Sequence, residues 1–270
     1  MSEYHGTAAS EAIPIEVEAA LVICDANPQD VVERLAAMQH LGGYRLYPCP
    51  EKRIHDIYLD TPGNALAARM LSLRLREVNG IFKLTLKGEA GQEASDLKTR
   101  RELERDWADG ALESIAAELA SYGVHLPVSE SVPETKPLAA LLARELNIIQ
   151  ERSTHRIVRE VTRDPSPGAS PVAELAIDAV LYHLARDIRH HEVEIELAAG
   201  EPPATARQLS ASLQAAFPGR LRPWTIAKLT LGMRLRDLLQ QGRMEGIIAE
   251  DGTLLPEAYE IITSSLNYRL

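Results

Sequence analysis

Cysteine is scarce in this 270-residue chain, and the two present, Cys24 and Cys49, share no metal-ligand spacing. That excludes a disulfide framework and points to a reducing, cytoplasmic setting. Positive charge is also short. The chain has 29 Lys and Arg against 39 Asp and Glu, a formal net charge of -10. A nonspecific nucleic-acid binder needs the opposite surplus, so nucleic acid is not an expected partner, and any anionic ligand must meet cations concentrated locally. No apolar run approaches the roughly 18 residues that span a membrane, so no membrane partner is expected. The opening MSEYHGTAAS is polar and has no secretory core, so residues 1–12 read as a flexible leader. There is no internal repeat, no low-complexity stretch and no Cys/His cluster of the kind that holds zinc. Hydrophobic residues make up 45%, which makes the chain globular, with room for one large domain or two small ones.

What the chain does have is a charge on every second residue, strand after strand. Glu16-Val17-Glu18, Arg74-Leu75-Arg76, Lys83-Leu84-Thr85-Leu86-Lys87, Arg100-Arg101-Glu102-Leu103-Glu104 and Glu192-Val193-Glu194-Ile195-Glu196 all follow the rule, Arg101 being the one exception on the apolar face. Side chains alternate across a strand, so each segment has an ionic face and an oily face. An ordinary half-buried sheet turns such charges to solvent, and one Glu-x-Glu would be read that way. Repetition of both signs at period two favours an inside-out barrel, with ionic groups lining a lumen and oily groups packing outward under helices.

The coarse elements fit an α+β antiparallel barrel. Strands are expected over 13–23, 54–59, 98–107 and 147–162. Residues 71–77 and 81–87 form a hairpin around Asn79-Gly80, and 172–181 and 187–197 form a second strand pair. Asn27 as N-cap and Pro28 at the first helical position open a helix that stops at Gly42-Gly43. Further helices are expected from Asp109-Gly110, from Pro137, over 203–217, over 225–240 and over 256–266. Residues 164–168 read as a loop and His190-His191 as surface. Residues 13–240 form the expected barrel domain and 241–270 a helical tail, with Tyr259, Ile261, Ile262, Leu266 and Tyr268 capping the barrel side or making a dimer contact, the alternative being a regulatory plug over one mouth.

If the alternating charges face inward, the acids are Glu16, Glu18, Glu102, Glu104, Asp178, Glu192, Glu194 and Glu196. The bases are Arg74, Arg76, Lys83, Lys87, Arg100, Arg152, Arg156 and Lys228. Glu16/Glu18 and Glu194/Glu196 are each spaced to converge on a hard divalent cation, and oxygen-only ligation suits Mg2+ or Mn2+. Arg74 and Arg76 are spaced to grip phosphate oxygens with planar forks. These are parts for phosphoryl chemistry.

In order along the chain, these segments resemble the CYTH superfamily, the triphosphate tunnel metalloenzymes, over about 13–236. Ile15-Glu16-Val17-Glu18 stands where the family has Glu-x-Glu-x-Lys. Leu73-Arg74-Leu75-Arg76 is similar to Leu-Arg-x-Arg, Leu84-Thr85-Leu86-Lys87-Gly88 to Leu-Thr-x-Lys-Gly, and Arg100 to Glu104 to Arg-x-Glu-x-Glu. Arg152 begins the later basic strand. Ile177-Asp178-Ala179-Val180 is similar to Asp-x-Val, Glu192 to Glu196 stand at the terminal Glu-x-Glu strand, and Lys228 is the late lysine.

The resemblance implies a closed eight-stranded antiparallel tunnel flanked by helices. It implies metal ligation by Glu16, Glu18, Asp178, Glu194 and Glu196, with Glu102, Glu104 and Glu192 as additional candidates. It implies phosphate contacts from Arg74, Arg76, Lys87, Arg100, Arg152 and Lys228, and Arg156 joins them as a candidate. Glu16, Glu18, Arg74, Arg76 and Lys87 are the expected catalytic set. The implied activity is Mg2+- or Mn2+-dependent hydrolysis of inorganic triphosphate or of a nucleotide's triphosphate end, with a triphosphate or polyphosphate as the small-molecule partner and a homodimer as one assembly. The alternatives are a class IV-type adenylate cyclase and a noncatalytic triphosphate or polyphosphate binder. The latter draws on one departure: the family's first lysine is Ala20 here. The later basic strand also reads Gln150-Glu151-Arg152 instead of Lys-x-Arg. Lys83 and Arg156, by parity, are candidates to replace the missing cations.

Overall fold

The computed structural model describes residues 15–89, 97–108, 110–128, 135–163 and 169–266. The expected leader, Ile13 of the first strand, Asp109, the loop over 164–168 and Tyr268 lie outside the described residues. The strands are β1 (Ile15–Ile23), β2 (His40–Leu41), β3 (Tyr44–Pro48), β4 (Lys52–Asp60), β5 (Ser72–Val78), β6 (Ile81–Glu89), β7 (Lys98–Asp106), β8 (Asn147–Thr162), β9 (Ala173–Tyr182), β10 (Ile188–Leu197) and β11 (Leu221–Pro223). The helices are α1 (Pro28–Ala37), α2 (Ala111–Ser121), α3 (Pro137–Leu142), α4 (Pro203–Ala216), α5 (Lys228–Gln240) and α6 (Pro256–Leu266).

Eight of these strands close a ring in the order β8-β4-β5-β6-β7-β1-β10-β9, and β9 pairs back onto β8. Every pairing in the ring is antiparallel. Closure leaves no open edge in the ring itself, while β2 and β11 each pair on one side only. The 16 residues of β8 let it serve β4 and then β3 on one edge while β9 takes the other. β1 is shared similarly: Ile15 to Glu18 pair with β7, and Leu21 to Ile23 pair with β11.

Local chemistry explains the joints. Asn79 and Gly80 both have positive φ, 50° and 88°, so the β5–β6 turn is of the primed kind that matches strand twist. Asn27 holds the N-cap position of α1, but its side chain makes no cap bond; its N–H donates to Asp25 Oδ1 at 2.8 Å instead. The helix ends at Ala37, ahead of Gly42-Gly43, which turn β2 into β3.

The oily faces make three clusters. Ala19, Leu21 and Ile23 point outward from β1 and pack with Val31 and Leu35 of α1 and Leu209 and Leu213 of α4. Leu73, Leu75, Leu84 and Leu86 pack outward with Leu112, Ile115 and Leu119 of α2. Each such leucine contributes about 1.5–3 kcal/mol by leaving water. The outer wall is not oily throughout. On β4 and β8 it carries His55, which meets Glu151 at 2.9 Å, and Ser153, which meets His183 at 2.9 Å.

The third cluster lies on the inward side. Beyond Glu16 and Glu18 the inward face of β1 continues as Ala20 and Val22, which pack with Val180, Tyr182, Ile188, Leu231 and Leu235 of α5, and Ala258, Tyr259 and Ile262 of α6. The ionic lumen therefore gives way to an apolar floor made by α5 and α6. α5 sits so close that a Cβ on Gly232 would lie 2.3 Å from Gln150 Nε2 and 2.7 Å from Tyr182 Cε1. Gly232→Ala is expected to cost about 1–3 kcal/mol by overpacking. Thermal denaturation checks it, and an unchanged melting temperature would mean that α5 has room to retreat.

Candidate active site in the barrel lumen

The lumen holds a cavity of about 1120 Å³. Its lining includes Glu16, Glu18, Arg74, Arg76, Lys87, Arg100, Glu102, Glu104, Arg152, Arg156, Asp178, Glu194, Glu196 and Lys228. Glu192 is fully buried behind Lys228, and Lys83 is one-third exposed and pairs with Glu104 at 2.6 Å and Asp106 at 3.6 Å. The residues sort into three groups.

The first is a cationic wall around Asp56. Register places Asp56 opposite Arg76 on β5 and Arg152 on β8. Arg76 donates to both Asp56 oxygens at 2.7 and 3.0 Å, Arg152 Nη2 donates at 3.0 Å, and Arg74 Nε stands 3.7 Å away. Asp56 is 1% exposed. Burial alone would raise its carboxyl, but Arg74, Arg76 and Arg152 hold it well below the usual carboxylate range. Arg152 also donates to the Tyr58 hydroxyl at 2.7 Å and lies 4.8 Å from that ring's centroid. Arg74 Nη2 donates to Thr85 Oγ1 at 3.2 Å, while Arg74 Nε is buried without a hydrogen-bond partner among the described residues. Arg74 also reaches Glu102 at 3.6 Å and Glu104 at 4.0 Å, but each of those acids has a closer lysine, so the three guanidinium groups around Asp56 remain in excess.

The second group is a lysine knot. Asp178, Glu192 and Glu194 bring carboxylate oxygens within 4.8 Å of one another. Lys228 Nζ lies among them, 3.0 Å from Asp178, 2.6 Å from Glu194 and in contact with Glu192. Arg156 forks onto Asp178 with two bonds of 2.7 Å and reaches Glu194 at 2.7 Å. The start of α5 is held by Tyr182, whose hydroxyl donates to the Lys228 carbonyl at 3.0 Å, and by Gln150, which donates to the Leu229 carbonyl at 2.9 Å. Burial works against charge on Lys228, but Glu192, Glu194 and Asp178 raise its pKa well above the ordinary value. Glu192 is pulled down to about 2 despite its burial, by Lys228 and a hydrogen bond from His190.

The third group is acidic. Glu18 faces Glu196 directly across β1 and β10. Glu18 pairs with Lys98 at 3.0 Å, and Lys87 bridges Glu16 at 2.6 Å and Glu102 at 2.9 Å. Glu196 forms no ion pair among the described residues. Burial, with Glu16 and Glu174 nearby, pushes it up to about 7. Burial and a hydrogen bond with Glu102 also push Glu16 up. This end of the cavity carries more carboxylate than cation.

The five carboxylates expected as one ligand set therefore divide. Glu16, Glu18 and Glu196 lie in the acidic group, and Asp178 and Glu194 lie in the lysine knot. Ala20 sits in the apolar floor, and the cations paired with the first strand's glutamates are Lys87, on Glu16, and Lys98 of the neighbouring strand, on Glu18. Arg156 faces the lumen, whereas Lys83 stays at its rim. Sequence reasoning missed Asp56, Tyr58 and Lys98. The signal for Asp56 was weak, an acid between Ile54 and Tyr58 at inward parity; Lys98 was visible two residues before Arg100. His190 and His191, expected at the surface, are 0% and 8% exposed, because the C-terminal segment folds over the start of β10.

Known proteins support the same architecture. Residues 33–215 match the CYTH domain model. Among solved structures, a Hippeastrum protein described as an adenylyl cyclase candidate with a dominant triphosphatase activity is 14% identical, with a TM-score of 0.53 over 86% of this chain and 98% of that one. An adenylate cyclase candidate from Bacillus halodurans is 20% identical over 80% of this chain and 96% of its own, with a TM-score of 0.44. The PH1819 protein of Pyrococcus horikoshii OT3 is 17% identical over 84% and 99%, with a TM-score of 0.47. No curated protein matches the chain in sequence. At 14% identity the likeness to the Hippeastrum protein is one of fold. The family match spans more than half of the chain and falls on the closed, charge-lined barrel: the chain belongs to the CYTH domain family.

Proposed function

We propose that the lumen binds a triphosphate, inorganic or at the end of a nucleotide, and that the protein hydrolyses it with the help of a divalent cation. The observation that carries this reading is the opposition inside one cavity of a surplus-positive wall (Arg74, Arg76, Arg152) and a surplus-negative wall (Glu16, Glu18, Glu196). A polyanion with a bound cation satisfies both at once.

The acidic wall has the donor chemistry for a hard divalent cation. Among the described residues the carboxylate oxygens that converge within 4.8 Å are those of Asp178, Glu192 and Glu194, so Glu16, Glu18 and Glu196 would have to draw together around an ion. The donors at the acidic wall are all carboxylate oxygens, and Glu196 makes no ion pair among the described residues, so burial with Glu16 and Glu174 nearby outweighs the more distant Lys87 and Arg156 and pushes it up to about 7. Glu16, Glu18 and Glu196 would hold Mg2+ or Mn2+, whose chemistry is to neutralise phosphate oxygens and acidify a bound water. The Asp178–Glu192–Glu194 group is a poorer fit, since Lys228 already fills it.

The chain's own groups do the positioning. Arg74 lines the cavity and is only loosely engaged, its Nε 3.7 Å from Asp56 without a hydrogen bond among the described residues, so its guanidinium suits an oxygen that gains charge during transfer. Arg76 and Arg152 are held in their rotamers by Asp56 and orient the chain of phosphates. Lys87 and Lys228 each sit beside carboxylates and place ammonium charge at opposite sides of the cavity.

A panel of tripolyphosphate, ATP, thiamine triphosphate and long-chain polyphosphate, each with Mg2+ or Mn2+, tests the proposal. Turnover of at least one triphosphate, abolished by EDTA and restored by the metal, is the expected result. Cyclic AMP from ATP would favour the cyclase reading, and tight binding with no turnover would favour a sensor. No binding of any member would end the triphosphate reading altogether.

A further inference from the structure

A hydrogen-bonded line runs from the C-terminal helix to the lumen lysine. His190 stands on β10 two residues from Glu192 at the same parity and is fully buried. Its Nδ1 lies 3.1 Å from the Tyr259 hydroxyl of α6, and its Nε2 lies 2.9 Å from Glu192 Oε2. The other Glu192 oxygen meets Lys228.

The contacts fix the direction of the bond to Glu192. Glu192 is held ionised and can only accept, so Nε2 carries the proton and donates to it. Nδ1 faces the Tyr259 hydroxyl and accepts from it in the Nε2–H tautomer. The buried Tyr259 phenol, raised well above its usual pKa by burial and by Cys24 and Glu192, is a donor. The imidazole is packed between Trp224 and Tyr259, with ring centroids 6.2 and 5.6 Å away. The segment that delivers Tyr259 is pinned to β10 by two backbone bonds, Arg189 N–H to the Gly252 carbonyl at 2.8 Å and Leu254 N–H to the Arg189 carbonyl at 2.9 Å.

We infer that Tyr259 and His190 are positioning residues for Lys228, so that the C-terminal segment over 241–266 is a working part of the lumen and not only a cap. The inference rests on the triphosphate reading for what Lys228 contacts. His190 neutralises part of the demand of Glu192 by donating to it. Without the Tyr259 hydroxyl, Nδ1 is orphaned among apolar side chains and the ring loses its fixed tautomer. Glu192 then loses a donor, its demand falls wholly on Lys228, and less of the ammonium's charge is left for an anion in the cavity.

Calorimetric binding of inorganic tripolyphosphate in the absence of metal, together with 15N spectra of labelled histidine, tests this. Tyr259→Phe is expected to weaken tripolyphosphate about tenfold, the scale of one hydrogen bond to a charged group. Lys228→Ala is expected to weaken it as well, and the double variant no further than Lys228→Ala alone. Wild-type-like affinity in Tyr259→Phe, or a further loss in the double variant, would overturn the inference. The spectra should show His190 protonated at Nε2 only, with that resonance displaced by Lys228→Ala. This readout needs no substrate. An unmoved resonance would defeat the coupling even where tripolyphosphate binds, and a moved one with no tripolyphosphate binding would defeat the triphosphate reading instead.

Discussion

Asp56→Asn is expected to lose about 3–5 kcal/mol of stability, and to recover part of it when tripolyphosphate is added. Asp56 is the buried counter-charge for Arg74, Arg76 and Arg152. The amide keeps the shape and removes the charge, so three guanidinium groups are left facing one another in a poorly solvated wall. Like charges about 4 Å apart repel by roughly 4 kcal/mol at an effective dielectric near 20. A bound polyanion supplies what the substitution removed. Urea denaturation with and without tripolyphosphate is the measurement, and the ligand should raise the midpoint more in the variant than in the wild type. A variant as stable as the wild type would refute the hub role of Asp56. An equal ligand shift in both proteins would show that the anion binds elsewhere.

The same substitution changes the acid limb of stability. The native carboxyl of Asp56 is depressed, so its contribution is complete above the ordinary aspartate value of about 3.9 and is lost only as the pH falls below that toward the native value. Asp56→Asn should therefore flatten the stability curve between about pH 4 and more acidic values.

Why Asp56 escaped the sequence while Arg74 did not is instructive. Alternation is a local property: Glu16-x-Glu18, Arg74-x-Arg76 and Glu192-x-Glu194-x-Glu196 announce their shared face from the strand alone, and the barrel follows from their repetition. Asp56 has no charged neighbour at i±2. Its importance comes from standing opposite Arg76 and Arg152 at once, and register across two other strands cannot be read from the residues of one. Lys98 is similar, since its pairing with Glu18 depends on β7 running against β1. Without that pairing, Ala20 looked like a missing cation. β2, β3 and β11 are too short to establish a period. His190 carries the period of β10, but a histidine pair reads as surface until a segment some seventy residues later folds over it.

Arg74→Ala is expected to behave in the opposite way to Asp56→Asn. It removes the guanidinium whose Nε–H has no partner among the described residues, and leaves Asp56 with Arg76 and Arg152. The loss of stability should be smaller than in Asp56→Asn, because Asp56 keeps its two short partners, the bond lost to Thr85 is a single neutral acceptor, and the contacts of Arg74 to Asp56, Glu102 and Glu104 are long, 3.7, 3.6 and 4.0 Å. Activity should not survive so well. Losing one preorganised donor aimed at developing charge costs about 10²–10³ in kcat, or about 2.7–4 kcal/mol. Arg74→Lys should recover little of it, since an ammonium offers a point charge where the site presents a planar fork. Steady-state kinetics on tripolyphosphate, with urea midpoints for the same proteins, separate the two roles. Asp56→Asn should be unstable yet rescued by the anion, and Arg74→Ala should be the more stable of the two yet nearly indifferent to it. If Arg74→Ala retains kcat within tenfold of the wild type, the cationic wall serves to hold the barrel together and the reacting phosphate lies against the lysine knot.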